Sequence, residues 1–404
     1  NTFIRLALPH LLPRCLPVCS VMPGYVLYCP TSTEPRTVID VKVGIPREVK
    51  NNEFRVAITP AGVHELVRHG HQVVIEQGAG LGSSIPDEEY VAAGAKILAG
   101  ADEVWATSDL LLKVKEPIAE EYHRLRKDQT LFTYLHLAAS KECTDALIES
   151  GTTAIAYETV ELPSRALPLL APMSEVAGRL APQVGAYHLM RSVGGRGVLP
   201  GGGPGTQPAR AVVIGGGVSG WNATQIAVGM GFHVTLLDRD LNKLREADKV
   251  FGTKVRAIMS NAFELEKAVL DADLVIGAVL IPGAKAPKLV TNELVSRMKQ
   301  GSVLVDIAID QGGCFEDSRP TTHAEPTFQV HDSVFYCVAN MPGAVPNTST
   351  YALTNATLPY VLALANKGWA QALREYHSQA LGRNTHAGSL TTAPVAHAHW
   401  VGSV

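Results

Sequence analysis

The run Ala211-Val-Val-Ile-Gly215-Gly-Gly217-Val-Ser-Gly220 opens into three glycines spaced G-x-G-x-x-G, and Asp238 closes the next apolar run, His233-Val-Thr-Leu-Leu237. That spacing suits phosphate binding. Gly215 permits a tight turn, Gly217 lets the backbone approach a pyrophosphate, and Gly220 lets helix and strand pack closely. An anion on the turn then meets the free N–H groups and positive dipole end of a helix. The sequence predicts that helix over residues 218–230, with Gly231 as its stop. An acid 18 residues beyond Gly220 completes a dinucleotide-binding βαβ unit. A carboxylate there pairs with a ribose 2′-hydroxyl and repels a 2′-phosphate, so Asp238 favours NAD over NADP, and the neighbouring Arg239 weakens that preference.

Other polar residues fall just beyond predicted strands, where open α/β sheets bind their ligands. Lys115 follows residues 110–114, His136 follows 131–135, Glu158 follows 153–157 and Asp310 follows 302–307. A base, a cation and carboxylates would meet at the mouth of a cleft, and Arg55 in the loop Asn51-Asn-Glu-Phe-Arg55 could add a bidentate carboxylate clamp. Each residue also has a structural reading. His136 could be a satisfied structural group, Lys115 a solvated neighbour of Glu116, Arg55 a partner of Glu53 or Glu48, and Asp310 a cap for Gln311-Gly-Gly313. Lys113 is expected to point elsewhere. His69 with His71, and His397 with His399, lack metal-ligand spacing, so no metal is expected. Neither a G-x-S-x-G elbow nor a cysteine placed as a nucleophile is present.

These residues need a scaffold of alternating strands and helices. Apolar strands are predicted at 41–45, 72–75, 110–114, 131–135 and 153–157, with helices at 60–69, 102–107 and 141–150. The first of these helices carries Thr59 as cap and Pro60 in its opening turn, and stops at Gly70. Repeated βα units imply a mostly parallel, doubly wound sheet, complete before the glycine fingerprint begins. A long helix over 175–191, capped by Ser174 and kinked by Pro182, is expected to link that domain to the nucleotide domain. The segment 194–205 holds seven glycines in twelve residues but no Gly-Lys-Ser/Thr ending, and reads as a mobile surface loop rather than a phosphate loop. Strands near 274–278 and 302–307 continue the nucleotide domain, helical periodicity returns over 351–376, and the tail beyond Gly388 reads as loose. The expected fold is therefore α/β, with two doubly wound Rossmann-like domains, a cleft between them and long connecting helices. Residues 41–168 and 347–404 would form the substrate domain, and 169–346 the nucleotide domain.

Composition narrows the partners. A formal net charge of −3, 18% charged residues and no basic stripe give no reason to expect nucleic acid or an anionic membrane. The apolar run near 274–280 is interrupted by Pro282 and Gly283 and is too short to span a bilayer. Cys143, Cys314 and Cys337 are scattered without C-x-x-C spacing and read as thiols of a reducing, cytoplasmic compartment. Residues 1–40 hold Cys15, Cys19, Cys29 and prolines at 9, 13, 17, 23 and 30, with no acid before Glu34. Those prolines break any helical leader, so the segment reads as an unfolded extension rather than a targeting signal.

Six motifs in order resemble alanine dehydrogenase: Val43-Gly-Ile-Pro-Arg-Glu-Val-Lys-Asn-Asn-Glu-Phe-Arg-Val-Ala-Ile-Thr-Pro60, Leu112-Lys-Val-Lys-Glu-Pro117, Leu131-Phe-Thr-Tyr-Leu-His136, Pro172-Met-Ser-Glu-Val-Ala-Gly178, Val305-Asp-Ile-Ala-Ile-Asp-Gln-Gly-Gly313 and Ser349-Thr-Tyr-Ala-Leu-Thr-Asn355. The resemblance runs from about Val41 to Gly388. It implies reversible NAD-dependent oxidative deamination of L-alanine to pyruvate and ammonia through iminopyruvate and a carbinolamine, in a homohexamer. By the same resemblance Arg55 and Lys115 hold the substrate, His136 is the acid/base, Asp310 assists it, and Ser174, Asp238, Ser260, Val279 and Asn340 surround the NAD. The nearest rival is the related nucleotide-binding subunit of a proton-translocating transhydrogenase, which predicts membrane partners.

Overall fold

A computed structural model describes residues 40–279 and 287–401. The expected N-terminal extension up to residue 39, with Cys15, Cys19 and Cys29, lies outside the described residues, as do Pro282 and Gly283.

Short β-branched and leucine-rich runs form two sheets. The first uses β1 (Lys42–Ile45), β2 (Gln72–Glu76), β3 (Lys96–Leu98), β4 (Leu110–Leu112), β5 (Thr130–Thr133) and β6 (Thr153–Ala156). The second uses β7 (Arg210–Ile214), β8 (His233–Asp238), β9 (Val255–Met259), β10 (Leu274–Gly277), β11 (Val303–Asp306), β12 (Thr327–Val330) and β13 (Ser333–Tyr336). The chain then returns to the first sheet with β14 (Arg383–His386) and β15 (Ser389–Leu390). The spatial orders are β15-β14-β6-β5-β4-β1-β2-β3 and β12-β13-β11-β10-β7-β8-β9. Strands β1–β6 are parallel, and so are β7–β11 with β13; only β12, β14 and β15 pair antiparallel.

Both sheets reverse winding direction at a central pair, β1/β4 in the first and β7/β10 in the second. Crevices beyond the carboxyl ends of such pairs are where α/β sheets take ligands. Burial on both faces requires apolar side chains at odd and even positions alike. Leu131 and Phe132, consecutive in β5, enter different core clusters, as do Leu274 and Val275 in β10.

The linking helix spans Ala171–His188, not 175–191. Pro172 sits in its opening turn, where its missing N–H costs nothing, so Ser174 lies inside the helix and caps nothing. Pro182 is buried within the same continuous helix. The helix lies very close to its neighbour Val218–Gly229, because a Cβ on Gly178 would stand 2.2 Å from Ser219 O.

Helical residues return earlier than periodicity suggests, over Pro346–Glu375, as two helices meeting at Gly368 with φ 70°. The tail is not loose. Beyond Gly388, strand β15 pairs with β14, Val395 is buried, and His399 Nε2 donates to Leu137 O at 2.6 Å. Small polar residues hide this packing from a composition-based reading, since backbone pairing supplies it. The glycine-rich segment 194–205 is likewise tied down in part: Gly197 N donates to Leu189 O at 2.7 Å, and a Cβ on Gly195 would stand 2.0 Å from His188 O.

Candidate active site

At the carboxyl end of β7 the glycine turn takes the shape its spacing requires. Gly215 has φ 100°, a left-handed conformation that favours glycine. A Cβ on Gly220 would stand 1.7 Å from Gly215 O, so any side chain there forces helix and strand apart. Gly217 differs: a Cβ there meets nothing within 4 Å. A side chain at Gly217 would exclude a ligand, not protein. The turn opens on a cleft of about 620 Å³ lined by Ser174, Gly215, Gly217, Asp238, Ser260 and Val279 among others. Residues Arg165 to Pro168, with Leu170 and Ala171 at the start of the linking helix, contribute to the same lining. A cradle left open at Gly217, with free backbone N–H groups and a carboxylate beyond it, fits the pyrophosphate and ribose of a dinucleotide.

Asp238 is nearly buried. Its Oδ2 accepts from Gly216 N at 2.6 Å, its Oδ1 from Asp240 N at 2.7 Å, and Lys243 Nζ stands 3.5 Å from Oδ2. Two of the eight nucleotide candidates lie apart from the cleft lining. Gly220 acts through packing, and Asn340 sits on Arg55.

The carboxyl ends of the first sheet carry the remaining candidates. Arg55 is buried with Glu53: Nε donates to Oε1 at 2.7 Å and Nη2 to Oε2 at 2.5 Å. Nη2 also donates to Asn340 Oδ1 at 2.9 Å, and Nη1 points at Met173 Sδ at 3.0 Å. Glu53 therefore takes the Nε–Nη2 edge, and the bidentate clamp expected of Arg55 has only the Nη1 side to offer, where Met173 Sδ stands. Burial favours a protonated Glu53, but its bonds and charge pairing with Arg55 outweigh that and hold its carboxyl below the usual range.

Lys115 is half-buried. Burial, and then the Arg55 charge, lower its pKa against the opposing pull of Glu116 and Asp310. Glu116 pairs with Lys50 and feels both Lys115 and His136. These charges therefore share one neighbourhood.

His136 is exposed, in left-handed backbone at φ 47°, and its ring stacks on Tyr134 with centroids 5.7 Å apart. Glu158 holds that turn by accepting from His136 N at 2.6 Å and Leu135 N at 3.2 Å, while its Oε1 stands 3.9 Å from His136 Nδ1. Asp310 is exposed on a loop organised by buried Asp306. Asp306 accepts from Ala308 N at 3.1 Å, Cys314 N at 2.7 Å, Phe315 N at 3.3 Å and the Ser318 hydroxyl.

Sequence reasoning missed a buried triad under Lys115. Lys113 Nζ bonds Glu121 Oε1 at 2.9 Å and Glu48 Oε2 at 3.1 Å, and Glu48 Oε1 accepts from Val114 N at 2.6 Å. Lys113 and Lys115 part company because β4 ends at Leu112, so strand alternation no longer governs them. No local signal marks the triad: Glu48 follows Arg47 and Glu121 follows Glu120 in polar stretches, and only the fold brings both to Lys113. The histidines left aside as metal ligands find ordinary partners, since His69 Nδ1 and His71 Nε2 both contact Asn366 Oδ1, at 3.2 and 2.9 Å. Among the described residues no group of three or more His, Cys, Asp or Glu could hold a metal ion, and no helix is long and apolar enough to cross a membrane.

Fold and site together define a two-sheet α/β oxidoreductase that takes a nicotinamide dinucleotide. Family models described as the N-terminal and C-terminal domains of alanine dehydrogenase/PNT match residues 44–177 and 181–393. An alanine dehydrogenase of Mycolicibacterium smegmatis is 67% identical over 354 residues, which covers 88% of this chain and 95% of that protein. A solved L-alanine dehydrogenase is similar at TM-score 0.86 and 51% identity, over 88% of this chain and 98% of that one. A solved transhydrogenase from Sinorhizobium meliloti is similar at TM-score 0.76 and 28% identity, over 87% and 100%. The chain belongs to the alanine dehydrogenase/PNT family.

Proposed function

We propose that this protein catalyses the reversible oxidative deamination of L-alanine to pyruvate and ammonia with NAD, as a homohexamer whose substrate domain (41–168 with 347–404) faces its nucleotide domain (169–346). The observation that carries the reading is the grouping of Arg55, Lys115, Asp310 and Glu116 within one electrostatic neighbourhood that also reaches His136. The 67% identity to a protein named alanine dehydrogenase supports it over a transhydrogenase role, where the structural relative is only 28% identical.

In this reading Arg55 offers its Nη1 edge to the substrate carboxylate, and Lys115 offers its ammonium to the carboxylate and to the oxygen that develops at C2. Fixing both ends of a three-carbon acid aims its Cα–H bond, a positioning effect. The NAD nicotinamide, when bound, supplies the hydride acceptor. His136 takes the proton from water as it adds to iminopyruvate and returns it to the leaving ammonia, while Lys115 stabilises the carbinolamine oxyanion. Glu158 fixes the backbone of His136 through two accepted hydrogen bonds. Asp310 assists the imidazole from the opposite loop.

The test is NADH formation across a panel of L-amino acids. L-alanine is expected to be the best substrate, and His136→Ala is expected to lower kcat by about 10²–10⁴, the worth of a positioned acid/base. Wild type without turnover on L-alanine, or His136→Ala with full turnover, would sink the reading. Size-exclusion chromatography with light scattering checks the hexamer.

A further inference from the structure

The cleft wall beside Asp238 carries more positive charge than a ribose hydroxyl requires. Asp238 accepts from Gly216 N and Asp240 N inside the protein, and Lys243 stands 3.5 Å away, so part of its charge is compensated before a ligand arrives while it still lines the cleft. Arg239 lines the same cleft, is exposed, and has no ion-pair partner among the described residues. Ser260 also lines it, held by its backbone N–H on Asp238 O at 2.9 Å. Asp240 is not part of the cleft lining, and its carboxylate caps its own helix through Asn242 N at 2.9 Å. Two cations against one carboxylate leave this stretch of wall with one net positive charge.

We propose that Arg239, Lys243 and Ser260 form a subsite for a phosphate monoester on the 2′-oxygen of the adenosine ribose, so that the protein accepts 2′-phosphorylated as well as unphosphorylated nicotinamide dinucleotides. The proposal rests on the dinucleotide reading of the cleft. An arginine just past the acid that closes the second strand is placed to meet a 2′-phosphate. Its planar fork matches two phosphate oxygens, the compact Lys243 ammonium adds a point charge, and a hydroxyl donates to a third oxygen. Asp238, bonded to two backbone N–H groups and faced by Lys243, opposes that phosphate less than an unpartnered carboxylate would.

The experiment is calorimetric titration of the full chain with 2′,5′-ADP and with 5′-AMP, which reads the subsite without turnover. Wild type is expected to bind 2′,5′-ADP at least as tightly as 5′-AMP. Arg239→Gln is expected to lower the ratio of the two affinities about tenfold, the size of one charge-assisted contact. Raising the salt from 0.05 to 0.5 M, roughly a threefold shortening of the screening length, should erode the preference in wild type. Binding of 5′-AMP with markedly weaker 2′,5′-ADP, or an unchanged ratio in Arg239→Gln, overturns the subsite and leaves the dinucleotide reading standing. Binding of neither probe overturns both.

Discussion

A single lysine shows how burial sets chemistry at the scale of one residue. Lys115 loses hydration and faces the Arg55 guanidinium, and the two effects together lower its pKa despite Asp310 and Glu116. Only the ammonium form can hold a carboxylate. As pH rises through the lowered value the cation disappears, so KM for pyruvate is expected to climb at a pH below the ordinary lysine range. Lys115→Arg keeps its charge throughout and should remove that rise, whatever it does to kcat. Steady-state kinetics across the alkaline range check this, and a pH-independent KM in wild type contradicts it. Arg55 illustrates a different point. The sequence offered Glu53 and Glu48 as partners; Glu53 takes the arginine and Glu48 takes Lys113. Neighbours two apart in an extended loop find one another, while the choice of Glu48 depends on a contact 65 residues away.

Among elements, the glycine turn separates folding from binding. Gly220→Ala drives a methyl into Gly215 O and should cost about 1–3 kcal/mol of stability as well as dinucleotide affinity. Gly217→Ala meets only open cleft, so stability should stay within about 1 kcal/mol while dinucleotide binding weakens. Thermal unfolding paired with dinucleotide titration distinguishes them, and equal stability losses would refute the separation. A second element is the segment carrying Lys115, stapled to the end of β1 by Lys113, Glu48 and Glu121. Lys113→Ala strands two buried carboxylates and is expected to cost about 3–5 kcal/mol, measured by urea unfolding. The glycine turn was legible because its chemistry lies within about 25 residues of sequence. The staple was not, because a buried lysine is recognisable only once its distant partners are known. Asp306 escaped notice similarly: it looks like a strand-end acid, and only the folded loop reveals its four donors.

For the whole molecule, the two sheets and the end of the chain converge on the same turns. Asn340, beyond the second sheet, bonds both Arg55 and Glu53 of the first, a contact spanning 285 residues that no local pattern encodes. The mostly parallel, doubly wound sheets followed from alternating βα units, but the return of residues 383–390 to the first sheet did not, since its small polar side chains carry no strand signature. That return has a consequence at the site. Strand β14 covers the edge of β6, and Val395 joins the core cluster that contains Leu137. His399 Nε2 donates to Leu137 O, so the last described turns brace the residue directly after His136. A chain ending at 388 keeps β14 but loses this brace. It should fold, with an unfolding midpoint lower by about 2–4 °C per kcal/mol lost, and its kcat/KM for L-alanine should drop about tenfold or more as His136 loses its placement. A chain ending at 382 also uncovers the β6 edge, and exposed edge strands pair with other chains. Size-exclusion chromatography should therefore find it aggregated. If the 388 chain instead matched the full chain in kcat/KM, the brace would be structural only, and the orientation of His136 would rest on Glu158 and Tyr134 alone.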